Sequence, residues 1–112
     1  RNNSDAFISV HINAFNNPNV GGIATYYYSK TSHDARLAQK IQSQIANTPG
    51  FNGDRGIQEG NLYVLRHSNM PAVLVELGFI SNPREESALK NPQTEQDFAN
   101  RIANGIVNYF GG

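Results

Sequence analysis

Apolar residues along this 112-residue chain recur at strand-like and helix-like intervals, and the changes of interval predict its elements. Ala6-Phe7-Ile8-Ser9-Val10-His11 is β-branched and aromatic behind a polar lead-in of Ser4 and Asp5, and reads as a first strand. A cluster of turn formers, Asn16 to Gly22, separates it from a second strand, Ile23 to Ser29, whose Tyr26, Tyr27 and Tyr28 alternate faces. Leu37, Ala38, Ile41 and Ile45 then recur at helical spacing among polar residues. Ser32 is placed to cap that helix, and Thr48-Pro49-Gly50 stops it. Phe51 to Asn61, with three glycines, reads as a long loop, and Leu62 to Arg66 as a third strand.

The central stretch is Pro71 to Pro83. Ala72-Val73-Leu74-Val75 is a run of four apolar residues, as in a strand buried on both faces. It leads to one carboxylate, Glu76, expected at the strand's far end, where open α/β sheets place their ligands. Asn82 and Pro83 are a cap and a first helical residue, with Glu85 three places on as in a capping box. That helix ends near Lys90-Asn91-Pro92. Thr94 starts the last one, with Phe98, Ile102, Ile106 and Phe110 on one face and Gly111-Gly112 closing it. The order β, β, α, β, β, α, α predicts a single α/β domain, a twisted open sheet flanked by helices.

Composition narrows the class. Nine basic and nine acidic residues give zero formal net charge, and the Lys and Arg are scattered, which argues against a nucleic-acid partner. No stretch approaches the roughly 20 apolar residues of a membrane span. There is no cysteine, so a zinc site would draw on His and carboxylate.

His11 ends the first strand as Glu76 ends the central one. A His and a Glu from neighbouring strand ends place a metal-bound water beside a general base. The rival reading is a structural ion pair for Glu76 and a surface role for His11. His33, beside Asp34 at a helix start, and His67, in a turn, carry no such pairing. A catalytic zinc takes three protein ligands, and no HExxH is present, so the residues alone suggest half a site. No GxSxG, P-loop or GxGxxG supports a serine hydrolase or a nucleotide-binding protein.

Ser9-Val10-His11-Ile12-Asn13-Ala14 and Met70 to Asn82 (Met-Pro-Ala-Val-Leu-Val-Glu-Leu-Gly-Phe-Ile-Ser-Asn) resemble, in order, two motifs of the zinc-dependent N-acetylmuramoyl-L-alanine amidases of bacterial cell walls and phage lysins. Tyr26 to Tyr28, Asp54-Arg55-Gly56 and Val64-Leu65-Arg66 fit between them, so the resemblance runs from about Asp5 to Phe110. It implies a mostly parallel amidase-type sheet and hydrolysis of the amide between the lactyl group of N-acetylmuramic acid and L-Ala of the stem peptide. It assigns His11 to zinc and Glu76 to proton transfer. The family's other two ligands, a His and a Glu, match nothing here and are expected upstream of Arg1. Residues 1–112 then correspond to the C-terminal two-thirds of one catalytic domain, with an N-terminal segment completing the site.

The implied partner is peptidoglycan, the implied location extracytoplasmic (cell wall, periplasm or secreted), and a separate wall-binding domain is a further expectation. Asn13, Arg55 and Asn82 are candidate substrate contacts, Arg55 suited to a stem-peptide carboxylate; the competing reading for each is a turn amide or a solvated charge. The alternative for the whole chain is an amidase-like module that holds peptidoglycan without cutting it.

Overall fold

The computed structural model describes residues 5–111. Ser4 of the polar lead-in and Gly112 of the closing pair lie outside them. Four strands, β1 (Phe7–Asn13), β2 (Ile23–Tyr27), β3 (Asp54–Glu59) and β4 (Ala72–Phe79), form one sheet in the order β1-β4-β2-β3. The β1–β4 and β2–β3 pairs are parallel and the β2–β4 pair antiparallel, so the sheet is mixed with two parallel pairings of three. The expected α/β architecture holds, with the Pro71–Phe79 stretch as an interior strand.

Helix α1 (Ser32–Ile45) packs Leu37, Ile41 and Ile45, all fully buried, on Ile23, Val73 and Val75 of the sheet. Its cap is Thr31 rather than Ser32: the Thr31 side chain accepts from the His33 N–H, and Asp34 completes a capping box by accepting from the Thr31 N–H. The last two helices, α3 (Pro83–Leu89) and α4 (Pro92–Gly111), both start at Asn-Pro. Asn82 accepts from the N–H groups of Arg84 and Glu85, and Asn91 from that of Gln93. The start expected at Thr94 therefore moves two residues back.

The apolar face of α4 ends on Tyr109, 6% exposed, and not on Phe110, 53% exposed. Steps of four residues drift: twelve residues from Phe98 turn the helix about 120° off its starting face, whereas eleven return it to within about 20°.

Two further sequence expectations fail. The loop Phe51–Asn61 contains β3, and the third strand at Leu62–Arg66 is a short helix, α2 (Tyr63–Arg66). β3 is an edge strand of largely polar sequence, which is how edges resist further pairing, so its alternation carried little apolar signal. The Leu62–Arg66 run is too short for periodicity to separate strand from helix. Both sides of β4 are also occupied, by β1 and β2.

Along β1, Ile8, Val10 and Ile12 share the α1 face of the sheet, while Ser9, His11 and Asn13 turn to the other. Val10 and Ile12 are half exposed, and with Leu77, Phe98 and Ile102 they line an apolar cleft of about 340 Å³.

Candidate active site

His11 and Glu76 are register partners on the parallel β1–β4 pair, so they project from the same face, one strand spacing (about 4.8 Å) apart. The expectation of a site past the strand ends is corrected here. Glu76 is followed by three more strand residues, and the site lies on the sheet surface opposite α1. The β2 residue opposite Glu76 is Ala24, and Tyr26 stands opposite Leu74, so Tyr26 shares this face too.

Glu76 is held on one side only. Its Oε1 accepts from Asn13 Nδ2 and from Arg55 Nη1, each at 3.1 Å. Its Oε2 accepts no hydrogen bond among the described residues, and the side chain retains 17% exposure. One carboxylate oxygen is thus anchored by two donors, and the other is left without one among the described residues.

Arg55, expected in a long loop and reaching outward for a carboxylate, lies on β3 and reaches inward across β2. Its Nη2 donates to the Tyr26 hydroxyl at 3.1 Å, and its guanidinium carbon lies 5.1 Å from the centre of the Phe79 ring. Burial by itself lowers the pKa of this guanidinium, but the hydrogen bonds to Glu76 and Tyr26 outweigh it and raise the pKa. Gly22 makes the crossing possible: its φ is +113°, and a Cβ there would stand 2.8 Å from Arg55 Cγ.

Asn13 is committed twice, donating to Glu76 and accepting at Oδ1 from the Ala14 N–H at 2.8 Å. Asn82 is 5% exposed, with its Oδ1 capping α3 and its Nδ2 on the Val20 carbonyl. Its contacts match the turn-amide reading. His33 and His67 stand apart from the site: the His67 ring is stacked on Tyr63, 4.1 Å between centres.

Two participants, Ser9 and Tyr26, lie in the matched stretches but are not among the site residues expected from the sequence. Ser9 Oγ lies 2.9 Å from His11 Nε2, which leaves Nδ1 without a hydrogen bond among the described residues. Tyr26 is one of three consecutive tyrosines, and only the β2–β4 register distinguishes it.

Glu85, expected to close a capping box, serves the site's frame instead. It is fully buried, and its Oε2 accepts from the N–H groups of Gly22 and Asn52 while Oε1 accepts from Phe79. One carboxylate thus ties the entry to β2, the approach to β3 and the end of β4.

A metal centre needs more than these residues contribute. Among the described residues no group of three or more His, Cys, Asp or Glu is placed to hold an ion. His11 has one ring nitrogen without a hydrogen bond among the described residues, whereas a catalytic zinc takes three protein ligands.

The profile of the N-acetylmuramoyl-L-alanine amidase family matches residues 1–108. The chain belongs to that family. It is 41% identical over 118 aligned positions to an uncharacterized cell wall amidase of Bacillus anthracis, covering 98% of this chain and 22% of that protein. With the N-acetylmuramoyl-L-alanine amidase LytC of Bacillus subtilis it shares 37% identity over 96% of this chain and 22% of LytC. The crystal structure of an N-acetylmuramoyl-L-alanine amidase from Clostridium difficile 630 superposes with a TM-score of 0.89 at 39% identity, covering 97% of this chain and 59% of that one. The catalytic domain of CwlV from Bacillus (Paenibacillus) polymyxa var. colistinus gives 0.88 at 35% identity, over 96% of this chain and 59% of that domain. The chain therefore spans about a fifth of these two curated relatives and three-fifths of the solved catalytic chains.

Proposed function

We propose that this chain is the part of a peptidoglycan amidase that carries the general base, Glu76, and one zinc ligand, His11. The reaction is hydrolysis of the amide joining the lactyl group of N-acetylmuramic acid to L-Ala of the stem peptide. The observation that carries this reading is the His11–Glu76 register on the exposed sheet face, with Oε2 of Glu76 unoccupied by any donor among the described residues. Family membership supports the same substrate and an extracytoplasmic site of action, at the wall itself.

An amide resists water because its carbonyl is a weak electrophile and its amine a poor leaving group. Glu76 Oε2 takes a proton from the water whose oxygen bonds to the carbonyl carbon. The protonated Glu76 then donates that proton to the departing nitrogen as the C–N bond breaks. The products are the lactyl carboxylic acid and the free amine of L-Ala, and the carboxylate is restored. A zinc ion bound with His11 as one ligand would polarise the carbonyl and acidify the water. A catalytic zinc takes three protein ligands, and among the described residues His11 is the one proposed here.

The test uses the full-length protein on purified peptidoglycan, reading newly exposed L-Ala amino groups by end-group labelling. Glu76→Ala is expected to keep its fold and bound zinc and to lose cleavage by roughly 100-fold or more. Undiminished release by the variant would remove Glu76 from the chemistry. Binding of peptidoglycan by the wild-type protein without any release would favour the non-cutting module instead.

A further inference from the structure

We propose that Arg55 is a positioning residue for Glu76: with Asn13 it pins Oε1, so that Oε2 is the oxygen presented for proton transfer. This rests on the reading of Glu76 as general base. The terminal torsion of a glutamate is soft and nearly two-fold, so an unrestrained carboxylate swings either oxygen toward the substrate. Two donors converging on the same atom remove that freedom.

Arg55 is itself fixed from several sides. The Tyr26 hydroxyl takes its second nitrogen, the Phe79 ring lies under the guanidinium, and Gly22 leaves the lane its methylenes occupy. Ala24, paired with Glu76 on β2, is a small side chain between the two partners. Residues from β2 and β4 thus converge on one guanidinium from β3, which spans two strand spacings to reach the carboxylate. An arginine engaged in this way has its fork turned inward, toward Glu76 and Tyr26.

The experiment compares Arg55→Lys, Tyr26→Phe, their double variant and Glu76→Gln in the full-length protein, with a soluble N-acetylmuramoyl-L-alanyl peptide as substrate. Circular dichroism melts establish that each is folded at the assay temperature. Lysine keeps the charge but lacks the fork that reaches Glu76 and Tyr26 together. Arg55→Lys is expected to lower kcat about tenfold or more with KM within about twofold, since orientation and not binding is lost. Tyr26→Phe is expected to lower kcat by a few fold, and the double variant to be no worse than Arg55→Lys alone, because Tyr26 acts through Arg55.

If Glu76→Gln is inactive while Arg55→Lys raises KM and keeps kcat, the positioning role falls and the base stands. The positioning role also falls, with the base intact, if Tyr26→Phe and Arg55→Lys lower kcat additively. If Glu76→Gln retains activity, the base reading fails and the positioning role with it. Should Arg55→Lys not fold, Tyr26→Phe decides alone: a fall in kcat at constant KM supports the role, and unchanged kinetics overturn it.

Discussion

His11 stands directly opposite Glu76 in the parallel pairing of β1 with β4. Parallel register makes the two side chains co-facial, so the proposed ligand His11 and the proposed base Glu76 are set one strand spacing apart by the backbone. With Nε2 near Ser9, the ring has Nδ1 available for an ion. In the full-length protein, His11→Ala is expected to weaken zinc binding by on the order of 100-fold or more, and Ser9→Ala by roughly tenfold, as removal of an orienting partner does. Competition with a chromophoric chelator measures both, and unaltered zinc affinity in His11→Ala would exclude it as a ligand.

Glu85 offers a sharper stability test. Its two oxygens serve three backbone donors, two on Oε2 and one on Oε1. Glu85→Ala strands all three N–H groups and is expected to cost about 3 kcal/mol or more. Glu85→Gln can keep its oxygen on Gly22 and Asn52 but turns an NH2 toward the Phe79 N–H, so its expected loss is smaller, about 1–3 kcal/mol. Equilibrium urea unfolding checks the order; a Gln variant worse than Ala would contradict it.

Gly78 lies between Glu76 and this frame. Its φ is +88°, and a Cβ would come within 2.6 Å of the Phe51 ring and 3.0 Å of Glu85 Oε1. Both strain and clash oppose a side chain, so Gly78→Ala is expected to destabilise by about 1–3 kcal/mol. A urea midpoint equal to that of the parent would show that β4 relaxes around the added methyl.

Asp34 predicts a pH dependence. Burial pushes its pKa up, but the Lys30 ammonium, the Ala72 N–H and the Thr31 hydroxyl outweigh that and hold it below the usual carboxylate range. The folded state therefore binds this proton less readily than the unfolded chain. Asp34 contributes its full stabilisation above the unfolded carboxylate pKa, about 4, and loses it as pH falls through the lower folded value. Unfolding free energies measured from pH 6 down to pH 2 are expected to fall less steeply in Asp34→Asn, which also costs about 1–3 kcal/mol near neutrality. Parallel curves for the two proteins would refute the assignment.

Much of the fold is legible from residue order. The apolar run Ala72–Val75 marks the interior strand, the Leu37–Ile45 spacing marks α1, and Asn82-Pro83 marks the start of α3. His11 and Glu76 are legible as a pair because both follow apolar strands within two recognisable motifs. β3 is not, because an edge strand made of Asp54, Arg55, Gly56, Ile57, Gln58 and Glu59 shows little of the apolar alternation that marks a half-buried strand. Residue order accordingly leaves Arg55 facing solvent.

Local sequence thus determined which segments are strands and helices where burial is strongest, and which two residues carry the proposed chemistry. Tertiary structure alone decided who holds them. Whether Arg55 faces water or Glu76 depends on β3 joining the sheet beside β2, and on Gly22 and Ala24 leaving space between. Whether Glu85 caps a helix or ties three strands depends on where Gly22, Asn52 and Phe79 meet. Pairings between residues 21 to 63 positions apart in the chain are set by sheet order and register, and no local pattern encodes them.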